Sequence, residues 1–462
     1  MEKNELSTLI TSIEIVNLFE IFNYTMEYPN SENVLIITGP NGFGKTQILN
    51  ILYSLFNRKF TFFDKLEFEK ITVNLSGDIK IVINKSKAIP PSQSEIKLDD
   101  SAEQPKHETK ELVFVFYENE NIVETLNFTT NISNRLIRYI DTYIHADRIS
   151  ENQWIDIETD QIVSIEYLVS KYAYLLPLEI QKTISSIQNK RTNQILNSIG
   201  VHLIREQRLF KKIPNPNINH RSKDYENEGD QTIMIEAIQT YSNELKYLLA
   251  KKSQQSFLMS QSLDSSYPNR LVSEKNRVSK EDYDVRFAKL TDKQEKLAAN
   301  GLYDSKQTAL SYSEDDSKAL LVYLNDLEQK LSVFDDLLIK LELFTSILND
   351  RRFTFKSIVI DREKGFSFKT SKGKVLELNE LSSGEQHEVI LLYELIFKTK
   401  PGILVLIDEP EISLHITWQK EFLDDLLKII KIQNFQVLIA THSPSIINDR
   451  WDLVYNLEKK EV

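Results

Sequence analysis

Residues 36–47 read I-I-T-G-P-N-G-F-G-K-T-Q. Gly39, Gly44, Lys45 and Thr46 give the spacing G-x-x-x-x-G-K-[ST], with an apolar run over 34–37 before it and a helical pattern over 47–56 after it. Strand, loop and helix in that order are the setting in which this motif cradles phosphates. The glycines let successive backbone N–H groups turn inward around an anion, and the helix N-terminus adds positive potential. Lys45 then reaches the β/γ-phosphates and the Thr46 hydroxyl ligates Mg²⁺. Pro40, Asn41, Gly42, Phe43 and Gln47 complete the loop. The motif predicts an α/β fold of the P-loop NTPase class with a nucleotide and Mg²⁺ as cofactors.

A second group of motifs lies toward the other end. Residues 403–407, I-L-V-L-I, are a continuous apolar run of the kind that makes a central parallel strand, and they end in Asp408, Glu409 and Pro410. Residues 436–440 contain a second such run, followed by Thr441, His442 and Ser443. Phosphoryl transfer is carried by positioning and charge neutralisation. Asp408 at a strand end can hold the Mg²⁺ shell. Glu409 beside it can orient or deprotonate the attacking water, and His442 can contact the γ-phosphate. Together with Lys45, Glu409 and His442 are the candidate catalytic residues. Residues 381–388 read L-S-S-G-E-Q-H-E. Ser382, Ser383 and Gly384 precede a helical pattern over 385–397 and offer a second anion site at its N-terminus.

Between these ends the pattern changes. Residues 11–28 read as two short strands, in which Phe19, Phe22 or Tyr24 either faces an adenine or is an ordinary strand aromatic. Residues 71–84 and 112–128 read as strand pairs, with a polar loop over 85–110 between them. Residues 129–198 are mostly helical in period. A short β-branched run over 200–209 follows, then a polar loop over 211–231. Residues 232–252 and 281–299 look helical. Over 318–350, Leu320, Leu324, Leu327, Leu331, Phe334, Leu338 and Leu341 form a heptad seam. One helix of that length would reach roughly 45–50 Å. It is either an extended helical arm or an amphipathic helix on a globular core. Residues 353–378 read as a three-stranded meander turning at Lys364-Gly365 and Lys372-Gly373.

The net charge of −12 argues against general polyanion binding, so contact with nucleic acid would need a local basic patch. The absence of cysteine excludes disulfides, cysteine–zinc sites and a cysteine nucleophile. No run approaches the 18 apolar residues of a membrane span, and residues 1–10 carry no signal core. A cytoplasmic protein that does not engage a membrane is expected.

The motifs, taken in order, resemble the ATP-binding-cassette (ABC) family. The resemblance covers residues 1–210 and 351–462 as the two halves of an ATPase head, with 211–350 as a helical coiled-coil insertion. It implies that Gln207, at the end of the 200–209 strand, contacts metal and water; the bland reading is a polar strand end. It also implies that the signature motif completes the nucleotide site of a partner subunit, with ATP sandwiched between two heads. Here the signature is L-S-S-G-E, so Ser383 replaces a glycine and Glu385 stands in place of a glutamine. His415, in the stretch Glu411, Ile412, Ser413, Leu414, His415, stands where many cassettes have aspartate.

Gly44 and Gly384 lie about 340 positions apart. Transporter cassettes keep the two motifs much closer. A long helical insertion resembles the chromosome-maintenance (SMC), RecF and OLD group. Within it the runs L-S-S-G-E-Q-H-E, L-I-D-E-P-E-I-S-L-H and A-T-H-S-P-S-I-I look like the ATPase subunits of anti-phage systems, PARIS first and Septu second. That resemblance implies a homo-oligomeric sensor or scaffold that controls a nuclease effector on another chain, the head running to the last residue with no nuclease domain after it. The alternative is a RecF- or SMC-like ATPase that clamps DNA. Arg205, Arg208, Lys211 and Lys212 supply local positive charge for that reading.

Overall fold

The computed structural model describes residues 8–29, 32–85, 112–128, 190–214, 232–303, 311–412 and 414–458, with short pieces between 140 and 172. The chain divides into two compact units, Met1–Gln207 with Lys212–Met234 and Thr399–Val462, and Arg208–Lys211 with Ile235–Lys398. Residues 351–398, which include the signature stretch, therefore group with the insertion helices.

The first unit begins with β1 (Ile10–Leu18), β2 (Phe22–Glu27), β3 (Val34–Thr38), α1 (Lys45–Phe56) and α2 (Thr61–Lys65). It continues through β4 (Lys70–Leu75), β5 (Ile79–Lys85), β6 (Leu112–Glu118) and β7 (Asn121–Phe128). Further on come β8 (Ala146–Ser150), β9 (Gln153–Asp156), β10 (Gln161–Val163), α3 (Lys190–Asn197) and β11 (Val201–Ile204). The antiparallel sheet, in the order β2-β1-β4-β5-β6-β7, matches the strand pairs expected over 71–84 and 112–128. Strands β8 to β10 make a three-stranded sheet inside the stretch read as mostly helical, α3 is helical as that reading has it, and most of 129–198 lies outside the described residues. The loop expected over 85–110 lies outside the described residues apart from Lys85.

After the second unit the chain returns to the first. It adds β17 (Leu404–Asp408), α9 (Ile416–Gln433), β18 (Gln436–Thr441), α10 (Pro444–Ile447) and β19 (Val454–Asn456). A parallel sheet runs in the order β11-β17-β18-β3-β19. Its three central strands are apolar without alternation because both faces are covered: Val34 to Ile37, Leu404 to Ile407 and Val437 to Ala440 are all buried. The Gln436 amide joins the two sheets. It accepts from the Ile10 N–H at 2.9 Å and donates to the Ile10 carbonyl at 2.8 Å. Two buried backbone groups at the start of β1 are thereby satisfied by one side chain.

Strands β12 (Phe210–Pro214) and β13 (Thr232–Glu236) form a two-stranded sheet, so the helix expected from residue 232 starts later. The second unit contains α4 (Ala237–Ser273), α5 (Lys280–Ala299), α6 (Ser317–Ser332) and α7 (Asp335–Ser346). The meander follows as β14 (Lys356–Asp361), β15 (Gly365–Thr370) and β16 (Val375–Leu376), then α8 (Ser383–Tyr393), which continues with wider winding to Lys398. Every residue of the heptad seam is buried. The seam does not lie on one helix: the chain breaks at Val333 and Phe334, and Lys252 of α4 donates to the freed Val333 carbonyl at 3.1 Å. Ion pairs tie α6 to its neighbours, Arg270 of α4 to Asp326 and Arg286 of α5 to Glu328 at 2.8 Å.

Helix α4 also docks on the meander. The Ser242 hydroxyl bonds the Lys364 carbonyl at 2.6 Å beside the turn at Gly365, whose φ is +82°. A Cβ there would sit 1.9 Å from the Ser242 carbonyl oxygen, so only glycine fits.

Candidate active site

The C-terminal ends of β3, β17 and β18 carry the sequence motifs to one edge of the parallel sheet, where ligands bind open α/β sheets. The loop after β3 turns through Gly42 and Gly44, both at left-handed φ, and Gly44 caps α1. A Cβ on Gly44 would lie 3.0 Å from Leu18, so the loop is close-packed from below. Lys45 is buried, and among the described residues its ammonium meets only the Gly39 and Pro40 carbonyls, at 2.8 and 3.3 Å. A buried cation held by loop carbonyls alone suits an anion at the loop centre. The Gln47 Oε1 atom is buried and unpartnered among the described residues. Pro40, Asn41 and Gly42 are exposed at the loop rim.

Phe43 stands beside Phe22, ring centres 5.1 Å apart, and Phe22 stacks on Tyr24 at 5.8 Å. The Tyr24 hydroxyl donates to the Phe43 carbonyl at 2.8 Å. Tyr24 is thus a buried support of the loop. Phe19 and Phe22 are only partly buried and flank it.

Across the sheet edge, the Thr46 hydroxyl donates to Asp408 Oδ1 at 3.1 Å. Burial pushes the Asp408 carboxyl up to about 6, the Glu409 and Glu206 carboxylates add to the rise, and the Thr46 hydrogen bond and Arg205 oppose it. A carboxylate this costly to ionise fits a divalent cation as counter-charge. Among the described residues no group of three or more His, Asp or Glu is arranged to hold a metal. Thr46 and Asp408 would therefore share the ion with nucleotide phosphates, the usual manner for Mg²⁺.

Glu409 has φ +42° and is held by its N–H to the Ala440 carbonyl at 2.8 Å. His442 is half-exposed, and its Nδ1 faces Glu409 Oε1 at 3.4 Å and Glu411 Oε1 at 3.3 Å. Sequence reasoning passed over Glu411. It is buried, and its Oε1 accepts from the Thr441 hydroxyl at 2.7 Å and from the His442 and Ser443 N–H groups at 2.9 and 3.1 Å. Its second position past Glu409 was the available signal. Gln419 of α9 extends the network, accepting from the Ser443 hydroxyl at 2.9 Å and donating to the Glu411 and Leu414 carbonyls.

Gln207 is placed differently from the expectation. Strand β11 ends at Ile204, and Gln207 is exposed three residues further on. The acid from this stretch that acts on Asp408 is Glu206.

The signature lies in the second unit. Helix α8 starts at Ser383, so Ser383 and Gly384 belong to its first turn, and Ser382 is its cap. The Glu385 carboxylate folds back over that N-terminus, accepting from the Ser382 N–H at 2.8 Å and hydroxyl at 2.9 Å and from Lys356 at 2.8 Å. That helix end is therefore covered by the chain's own acid. Behind it, Glu388 pairs with Arg352 at 3.0 Å in full burial, and His387 is buried with its imidazole lowered to about 4 by desolvation and by Arg208.

A family model described as an AAA ATPase domain matches residues 9–447. The chain belongs to that family, an α/β P-loop family of nucleotide-binding ATPases. No curated protein matches it. Similar solved structures include an Smc head domain with an extended coiled coil bound to the C-terminal domain of ScpA, from Pyrococcus furiosus, at 12% identity and TM-score 0.34, covering 95% of this chain and 91% of that one. An SMC head bound to the C-winged helix domain of ScpA matches at 10% and 0.34 over the same shares. The SMC head domain from Thermotoga maritima matches at 12% and 0.31, covering 97% of this chain and 94% of that one. Among the described residues no helix is long and apolar enough to cross a membrane.

Proposed function

We propose that this chain is a Mg²⁺-dependent ATPase of the ABC type, within the SMC, RecF and OLD group. The observation that carries this is the meeting of Thr46 with Asp408, beside Glu409 and His442, at the mouth of the phosphate loop. Gly39 to Gln47 cradle the phosphates, and Lys45 neutralises the outer ones. Thr46 and Asp408 would hold Mg²⁺, which would supply charge neutralisation to the transferring phosphoryl group. Gln207 would be a further contact to the ion. Glu409 orients and deprotonates the attacking water, and His442 contacts the γ-phosphate.

Heads 1–210 and 351–462 pair around ATP, with Ser382, Ser383 and Gly384 of one subunit completing the partner's site. In that state the Glu385 carboxylate must leave the helix end it covers. The chain serves as a cytoplasmic sensor or scaffold in anti-phage defence, holding a separate nuclease. The resemblance of its 381–388, 406–415 and 440–447 runs to the PARIS and Septu ATPases supports this assignment. Pull-down with the products of neighbouring genes tests it: capture of a nuclease is expected. Tight, salt-sensitive binding of duplex DNA with no captured nuclease would instead favour a DNA-clamping ATPase.

A further inference from the structure

The reading of the site leaves one buried acid without a role. Glu411 is 7% exposed, yet no lysine or arginine pairs with it among the described residues. Its Oε1 gathers the Thr441 hydroxyl and two backbone N–H groups, and Oε2 has no partner among the described residues. A turn needs no ionised group to satisfy two amides and a hydroxyl; a glutamine oxygen would accept the same three bonds. Burying a charge for that purpose alone is costly.

The charge has a second neighbour. His442 Nδ1 lies 3.3 Å from Glu411 Oε1 and 3.4 Å from Glu409 Oε1. Carboxylates accept and do not donate, so the ring edge between them must carry the hydrogen. The opposite nitrogen, Nε2, then keeps its lone pair in the neutral ring and donates only after taking a proton. We infer that Glu411 is a positioning residue for hydrolysis: it fixes the loop bearing His442 and sets that imidazole as the Nδ1–H tautomer, so that Nε2 serves the reaction. This rests on the ATPase reading above. Glu409 makes the same demand on Nδ1, but its carboxylate is turned to the water during hydrolysis. Glu411 accepts no water in this role and stays behind the ring as its orienter.

Glu411→Gln separates the two tasks, since it keeps an acceptor for the loop and removes the charge. Turnover should fall about 10–100-fold, as for loss of a residue that orients a reacting group, with ATP affinity and Tm unchanged. Ring-¹⁵N histidine spectra give a readout that needs no activity, with the His442 signal assigned by its loss in His442→Gln. They should show Nδ1–H in the wild type and a moved Nδ1 resonance in Glu411→Gln, where an acceptor stays beside the ring and the charge is removed. A wild-type Nε2–H tautomer overturns the inference. So does wild-type turnover in Glu411→Gln, or a fall in turnover matched by loss of Tm. A wild type with the expected tautomer but no hydrolysis would sink the ATPase reading instead, and the inferred role with it.

Discussion

Thr46 and Asp408, 362 positions apart in the chain, meet through a 3.1 Å hydrogen bond. They sit at the ends of elements whose strands, β3 and β17, are separated in the sheet only by β18. That relationship turns two distant motifs into one site. It also sets a cost, because the Asp408 carboxyl is buried and raised to about 6. The stability it contributes is present at low pH and is lost as pH rises through the folded value. Asp408→Asn should therefore melt at higher temperature than the wild type without nucleotide at pH 7.5, with the gain vanishing near pH 4, while Mg²⁺-supported hydrolysis is lost. Thermal melts across pH check this; an Asn variant that melts lower at pH 7.5 contradicts it.

His387 gives a pH effect of the opposite sign. Its folded value is lowered to about 4 by burial and by Arg208. A depressed group contributes stability above its unfolded value of about 6.5 and loses it as pH falls toward 4. The wild type should lose on the order of 1–3 kcal/mol over that window through this group. His387→Gln should flatten that part of the stability-against-pH curve, which urea titrations at several pH values would measure. An unchanged slope would mean that His387 is accessible to solvent protons in the folded state.

The turn at Gly365 tests how the insertion helices are held. A Cβ 1.9 Å from the Ser242 carbonyl cannot be accommodated without moving α4 or the hairpin. Gly365→Ala should cost more than about 3 kcal/mol. Gly373→Ala, at the other meander turn with φ +82° and nothing within 4 Å of a Cβ, should cost about 1 kcal/mol. Equal losses would show that the close approach to α4 is not what requires glycine.

The shared-site proposal concerns two chains. Cysteines placed at Asn41 and Ser383 meet no native cysteine. In a Glu409→Gln background they should crosslink between chains only when ATP is present. Crosslinks confined within one chain, or none, reject the sandwich.

How much of this was legible in the sequence depends on how local each signal is. The phosphate loop and the two apolar strands that end in Asp408 and Thr441 are local patterns, and they fall where the residues imply. The sheet order β11-β17-β18-β3-β19 is set by crossovers over hundreds of residues, which no local pattern encodes. The seam from Leu320 to Leu341 hid its break, because Phe334 keeps the heptad buried even where the helix stops. Lys252, which satisfies the break, is some 80 positions away. Strands β8 to β10 are short and lie in a stretch whose apolar residues also fit a helical period. Gln207 was placed by analogy to a strand end, and β11 stops at Ile204. Glu411 was read as one member of a loop; its role appears only when β18 brings Thr441, His442 and Ser443 to it.

The most direct test of the account is ATP turnover and ATP binding measured side by side for the wild type and Glu409→Gln, with Lys45→Ala as the loop control. Glu409 is the carboxylate assigned to the attacking water, so its amide variant should bind ATP with wild-type affinity while turnover drops by at least about 100-fold. Lys45→Ala should lose binding and turnover together. If Glu409→Gln hydrolyses ATP at the wild-type rate, the site described at the ends of β3, β17 and β18 is not the one that performs the reaction.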